Sequence, residues 1–191
     1  MMNKKSLGAK TLVCPTPVWV IGTYDQAGKA NAATAAWVGV CCSNPPAVAV
    51  SFTKARHSYG NILARKAFTV NLPSEEYIKE VDYCGIVSGK NEDKFSATGL
   101  TAVQSELVDA PYIKEFPLVI ECRLLKHHEI GQHTQFIGEI VDVKVDENAL
   151  GEKGYPELNK IRPILYTPGS GLYFACGSYL GEAYTIGRKK K

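Results

Sequence analysis

The stretch Ser51-Phe-Thr-Lys-Ala-Arg-His-Ser58 brings hydroxyls at Ser51, Thr53 and Ser58 together with the cations Lys54 and Arg56. Hydroxyl donors, a guanidinium that grips an anion through two parallel bonds, and the free N–H groups of a following helix are what a phosphate monoester requires. The same residues also make a solvated basic turn with a helix cap, and residue types alone leave both readings open. Upstream, Asn31-Ala-Ala-Thr-Ala-Ala-Trp37 sets small side chains beside hydrogen-bonding groups at Asn31 and Thr34 and an aromatic wall at Trp37. A flat ligand can lie against the backbone of such a strand, although close packing of small residues explains the pattern as well.

Other chemistries fail on spacing. Gly85-Ile-Val-Ser-Gly-Lys90 imitates a nucleotide-binding P-loop but has one residue too few between its glycines, and Asn91 stands where a magnesium-binding Ser or Thr belongs. Gly169-Ser-Gly171 opens like a dinucleotide fingerprint, yet Phe174 takes the place of its last glycine. No G-x-S-x-G nucleophile elbow is present. His127, His128 and His133 with Cys122 give no regular ligand set, so no metal is expected and His127-His128 reads as an exposed strand end.

The elements that must position these residues are mostly strands. Val18 to Tyr24 is β-rich, Asp25-Gln-Ala-Gly28 supplies turn chemistry, and Asn31 to Cys42 runs back apolar. Further strands are expected at Ala47–Phe52, Ala67–Leu72, Leu118–His127, Thr134–Asp146, Ile164–Tyr166 and Leu172–Phe174. Along Thr134–Asp146, residues Ile137, Val141, Val143 and Val145 share one face, with Glu139 the odd member. A short helix over Ser58–Lys66 takes Ser58 as its N-cap. A second starts at Ser74 with Glu75 and Glu76 in its first turn, buries Tyr77, Ile78 and Val81, and ends near Gly85. A short turn follows around Asp93–Ala97. Many strands and few helices, without β-α alternation, favour a barrel over a doubly wound sheet.

A chain of 191 residues, 45% hydrophobic and 21% charged, is a globular composition that fits one domain over residues 1–191. The net charge of +3 gathers at Arg188 to Lys191, which leaves a near-neutral body and no general nucleic-acid surface. The apolar run Ala32–Cys42 falls short of the roughly 20 residues of a membrane helix. Pro15 and Pro17 interrupt any secretion signal behind Lys4 and Lys5, so a cytoplasmic protein is expected. Cys14, Cys41, Cys42, Cys84, Cys122 and Cys176 form no C-x-x-C pair and read as mostly buried free thiols.

Several segments together carry a resemblance. Pro15-Thr-Pro-Val-Trp-Val-Ile-Gly-Thr23, Asn31–Trp37, Ser51–Asn61 and Phe68-Thr-Val-Asn-Leu-Pro-Ser74 come first. Ser88-Gly-Lys-Asn-Glu-Asp-Lys-Phe95 and Gly131-Gln-His-Thr-Gln-Phe-Ile-Gly-Glu139 follow in the same order. The chain thereby resembles the flavin reductase-like, FMN-binding split-barrel family, and within it the flavoredoxin type.

That resemblance implies a mainly β, Greek-key FMN-binding split β-barrel with a few short helices, holding non-covalent FMN at a homodimer interface. It implies that Asn31, Thr34, Ala35 and Trp37 border the isoalloxazine, and that Ser51, Thr53, Arg56 and Ser58 hold the ribityl phosphate. Lys94 and His133 would approach the ring from loops as the catalytic pair. Tyr166 would face the cofactor where Phe is usual, and Ser58 stands where Thr is common. On this resemblance the chain is an NAD(P)H-dependent flavin reductase passing electrons from FMN to a flavin, metal or protein acceptor. The alternative it leaves is a flavoredoxin-like electron-transfer protein reduced by a protein partner. A further alternative is a non-redox binding module for another aromatic phosphate. The tail Lys189-Lys190-Lys191 is either a solvated terminus or a docking site for an acidic redox partner.

Overall fold

A computed structural model of the chain describes residues 3–188. β2 (Trp19–Tyr24) and β3 (Ala30–Ala35) form a hairpin whose turn is closed by Asp25, with its carboxylate accepting from the Lys29 N–H at 2.9 Å. Gly28 takes the left-handed conformation this turn needs, φ 85°. β4 (Val38–Ser43), β5 (Pro46–Thr53), α1 (His57–Arg65) and β6 (Ala67–Leu72) come next. The long hairpin β9 (Leu118–Ile130) and β10 (His133–Val145) completes an antiparallel sheet of order β3-β2-β6-β9-β10-β5-β4.

This order dictates a barrel. β3 and β4 are the opposite ends of the sheet, yet only Ala36 and Trp37 separate them in sequence, so the sheet must curl until its edges meet. The expected single run Asn31–Cys42 is therefore two strands broken at a corner. Ser51 N–H donates to Trp37 O at 3.0 Å and pins that corner against β5. The seam is closed by chain rather than by a ladder, which makes the barrel split, mainly β with short helices, as expected.

The barrel is filled by Ile21, Val50, Phe52, Ile62, Phe68, Val70 and Phe136. Outside it, Val18, Val20 and Ala32 pack against Val81 and Cys84 of α2 (Ile78–Ile86) and against Ile113 and Phe116. β2 and β6 are thus covered on both faces, and their polar residues Thr23, Thr69 and Asn71 are buried with the apolar ones. α3 (Lys94–Thr98) and the hairpin β7 (Ala102–Gln104) and β8 (Pro111–Ile113) belong to this outer layer. Asn71 joins the layers, its side chain donating to Val20 O at 2.9 Å and accepting from Ile113 N–H at 3.0 Å. α4 (Leu158–Ile161) precedes a small sheet of β1 (Thr16–Pro17), β11 (Ile164–Thr167) and β12 (Leu172–Ala175).

Three local expectations are corrected. The barrel-facing side of β10 carries Thr134, Phe136, Gly138 and Ile140, not Ile137 and Val143, and irregularities at Ile137/Gly138 and Ile140/Asp142 break its simple alternation. Glu139 was odd among apolar residues because its face is not the barrel's. The helix expected from Ser74 opens with a 3-10 turn at Glu75–Tyr77, with α2 proper behind it. The thiols are not mostly buried: Cys14 is exposed, as are Cys41 and Cys42 on the edge strand β4, while Cys84 and Cys122 are buried, and all six thiols are free.

Candidate cofactor cleft

The site is assembled where β5 ends and α1 begins. Arg56 N–H donates to Thr53 O at 3.1 Å, turning the chain, and Arg56 becomes the N-cap residue of α1 without a side-chain capping bond. The leading N–H groups of α1 thus have no side-chain cap, which is the geometry that attracts an anion. Ser58 is not the cap. It lies inside the first turn, fully buried, and its hydroxyl accepts from Asn31 Nδ2 at 2.9 Å. Asn61 Nδ2 donates to Thr23 Oγ1 at 3.1 Å, so this buried polar cluster fastens α1 to β2 and β3. Asn31 Oδ1 is buried with no protein donor, which leaves an acceptor for a ligand N–H or O–H.

A cleft of about 420 Å3 opens between β3, β5 and α2. Its walls include Thr34, Ala35 and Trp37 from the corner of the sheet, and Ser51, Thr53 and Arg56 from the α1 approach. His133 and Tyr166 close another side. Thr34 Oγ1 donates to Val81 O, holding α2 against the strand, and Arg56 Nη1 donates to Gly85 O at 2.8 Å. Trp37 keeps 41% of its surface exposed and forms an open aromatic wall.

Asn31, Ser58 and Lys94 lie apart from this cleft. They line a neighbouring cavity of about 220 Å3, joined to it through Arg56 and Ile86. Lys94 was expected on a loop, but it heads α3, is 4% exposed, and its Nζ donates to Ala32 O and Cys84 O, each at 2.7 Å. Burial lowers its pKa from the ordinary lysine value; Cys84 opposes the effect and Arg56 adds to it. The Cys84 thiol is pushed up to about 11 by burial, which keeps it unreactive. His133, also expected on a loop, is the first residue of β10 and pairs with Thr53.

Sequence reading missed Asp82 and Tyr173. The Tyr173 hydroxyl donates to Asp82 Oδ1 at 2.9 Å across the cleft, and the Tyr173 ring packs 5.6 Å from that of Tyr166. Burial and the Asp82 carboxylate raise the Tyr173 pKa. No sequence signal links residues 91 positions apart. Among the described residues no cluster of three or more His, Cys, Asp or Glu is arranged to hold a metal, and no helix is long and apolar enough to cross a membrane.

The split barrel thus sets an uncapped helix start beside an open cleft. The flavin reductase like domain model matches residues 11–172, and the chain belongs to that family. Flavoredoxin of Desulfovibrio vulgaris (Miyazaki F) superimposes with a TM-score of 0.94 at 50% identity, covering 97% of this chain and 100% of that one. Flavoredoxin from Methanosarcina acetivorans gives a TM-score of 0.91 at 32% identity, covering 98% of each chain. The FMN-binding protein from Thermus thermophilus, solved with bound 1-cyclohex-2-enone, gives 0.80 at 25% identity, covering 95% of this chain and 99% of that one. These relatives point to a flavin cofactor.

Proposed function

We propose that the chain binds FMN non-covalently in the cleft and works as an oxidoreductase that takes electrons from NADH or NADPH and passes them to a flavin, metal or protein acceptor. The observation that carries this reading is the uncapped start of α1, which opens with Arg56, Ser51 and Thr53 onto a slot walled by Ala35 and Trp37. FMN, when bound, supplies a group that accepts a hydride and returns its electrons singly or in pairs.

In this reading Arg56, Ser51 and Thr53 grip the phosphate, and Ser58 contributes its backbone N–H and its O–H, which stays free to donate because the oxygen only accepts from Asn31. Thr34, Ala35, Trp37 and Tyr166 border the ring and exclude water from one side, and the free Oδ1 of Asn31 accepts from the ligand. Lys94 places a positive charge in a buried setting, where it favours negative charge on a reduced ring. His133 holds or moves a proton at its imidazole. A second copy of the chain closes the cleft in a homodimer, which accounts for the exposed Val13, Trp37, Val40, Leu172 and Phe174. The lysine tail offered to an acidic redox partner lies outside the described residues.

The likeness to two flavoredoxins favours a second reading, an electron carrier reduced by another protein. Anaerobic absorbance titration of FMN-loaded protein with NADH and then NADPH separates the two. Rapid bleaching of the flavin band by either nucleotide is the outcome expected of a reductase. Reduction by dithionite but not by nucleotide overturns the reductase reading and leaves the carrier. Failure of the apo-protein to take up FMN overturns both.

A further inference from the structure

The Asp82–Tyr173 bridge takes no part in holding the phosphate, yet both residues stand in the wall of the cleft. Asp82 comes from the middle of α2, and Tyr173 from β12, an edge strand of the small sheet. That sheet is moored to the barrel where Val18 N–H donates to Ile164 O at 3.0 Å. The Tyr173 ring packs with Tyr166 against the core cluster of Val18, Val20 and Val81, so its hydroxyl is delivered from a fixed platform. The hydroxyl donates to Asp82 Oδ1, and the raised Tyr173 pKa keeps that proton on the phenol. Asp82 is thereby held as an oriented carboxylate.

Its charge is not cancelled. Asp82 is the only carboxylate among the walls of the cleft, and Arg56, assigned above to the phosphate, is the only Lys or Arg there. Among the described residues Asp82 forms no ion pair. Its one hydrogen-bond partner is a neutral phenol, which orients the charge without neutralising it. Around it stand Val18, Ile86, Trp37, Tyr166 and Tyr173, and apolar walls of this kind focus the field of a charge into the space they enclose. The chain as a whole carries +3, a charge that by itself draws anions. A preference for cations inside the cleft is therefore a local signature of Asp82.

We propose that Asp82 selects the electron acceptor by charge, so that the cleft admits cationic and neutral acceptors and disfavours anionic ones, with Tyr173 as the positioning residue that aims the carboxylate. The inference rests on the flavin reading above and names the class of acceptor that site serves. For a one-electron acceptor, two acceptor ions are reduced for each reduced flavin oxidised, and the protons of the ring leave to water.

The test uses FMN-loaded wild-type protein, Asp82→Asn and Tyr173→Phe, each reduced anaerobically by titration with dithionite. Stopped-flow absorbance then follows reoxidation by the trianion ferricyanide and by the trication hexaammineruthenium(III). Asp82→Asn keeps an oxygen to accept from Tyr173 and removes only the charge, whereas Tyr173→Phe removes the bond and keeps the charge. At low salt Asp82→Asn speeds ferricyanide and slows the ruthenium complex, each about threefold to fivefold, the size expected for one unit charge against three at an approach of about 10 Å. A changed flavin potential would move both rates the same way, so the opposed shifts report charge. Tyr173→Phe leaves the ratio of the two rates within about twofold of wild type. In the wild type, added salt slows the ruthenium complex relative to ferricyanide, a reading that needs no variant. An unshifted ratio in Asp82→Asn overturns the proposal, as does a Tyr173→Phe variant that reproduces the full shift, or the reverse salt trend in the wild type. In each of those cases the flavin reading stands. If the wild-type chain takes up no FMN, the parent reading fails instead.

Discussion

Replacing Arg56 by alanine removes the one guanidinium that lines both the cleft and the small cavity. Within the chain the guanidinium makes one bond, Nη1 to Gly85 O at 2.8 Å, in an exposed position where water replaces it at small cost. Its remaining N–H donors are available to a phosphate. A hydrogen bond to a charged group contributes about 1.5–3 kcal/mol. At 1.4 kcal/mol per decade, Arg56→Ala therefore weakens FMN binding roughly 10- to 150-fold. Arg56→Lys recovers only part of this, because an ammonium keeps the charge but loses the two-pronged grip. The assay is a fluorescence-quenching titration of apo-protein with FMN and, in parallel, with riboflavin, which lacks the phosphate. FMN affinity should fall and riboflavin affinity should not. An unchanged FMN affinity, or an equal fall for both ligands, would refute the phosphate assignment and with it the role of the α1 start.

Two further expectations follow from the packing. Lys94→Met in fully FMN-loaded protein lowers the flavin midpoint potential, by about 30 mV for each 1.4 kcal/mol with which the buried cation favours the two-electron reduced form. Spectroelectrochemistry that finds the same potential in both proteins removes Lys94 from the mechanism. Gly22→Ala would drive its Cβ to 2.1 Å from the backbone Pro111 O, and Gly138→Ala to 2.5 Å from Phe68 Cζ in the barrel core. Each should destabilise the chain by about 1–3 kcal/mol in urea unfolding, Gly22→Ala the more because a strand carbonyl gives way less than a ring. A variant that unfolds at the wild-type midpoint would show that the strand relaxes freely there.

Much of the architecture was legible along the chain. β-rich segments at Val18–Tyr24, Ala47–Phe52 and Ala67–Leu72 marked strands, and their β-branched content and bounding turn residues are local properties that survive in the fold. The Ser51–Ser58 segment carried the hydroxyls and cations that an anion requires, though residue types alone left a solvated turn equally open, and eight of the eleven expected site residues line the main cleft. Where tertiary contacts compete with local ones, the chain alone was ambiguous. Ser58 had the chemistry of a cap, yet Asn31 on β3 offered its hydroxyl a buried partner, and the helix start is left without a side-chain cap. Lys94 looked like a loop cation. Burial between β3 and α2 decided that two carbonyls hold its ammonium. The Asp82–Tyr173 bridge had no sequence trace at all, because a hydrogen bond between a helix and a late strand depends on the sheet's curvature rather than on spacing. The amino-acid sequence by itself determined most of the strands and which side chains could serve a ligand. Only the closure of the split barrel decided which of those groups face one another, since that depends on how the ends of the sheet meet at Ala36–Trp37.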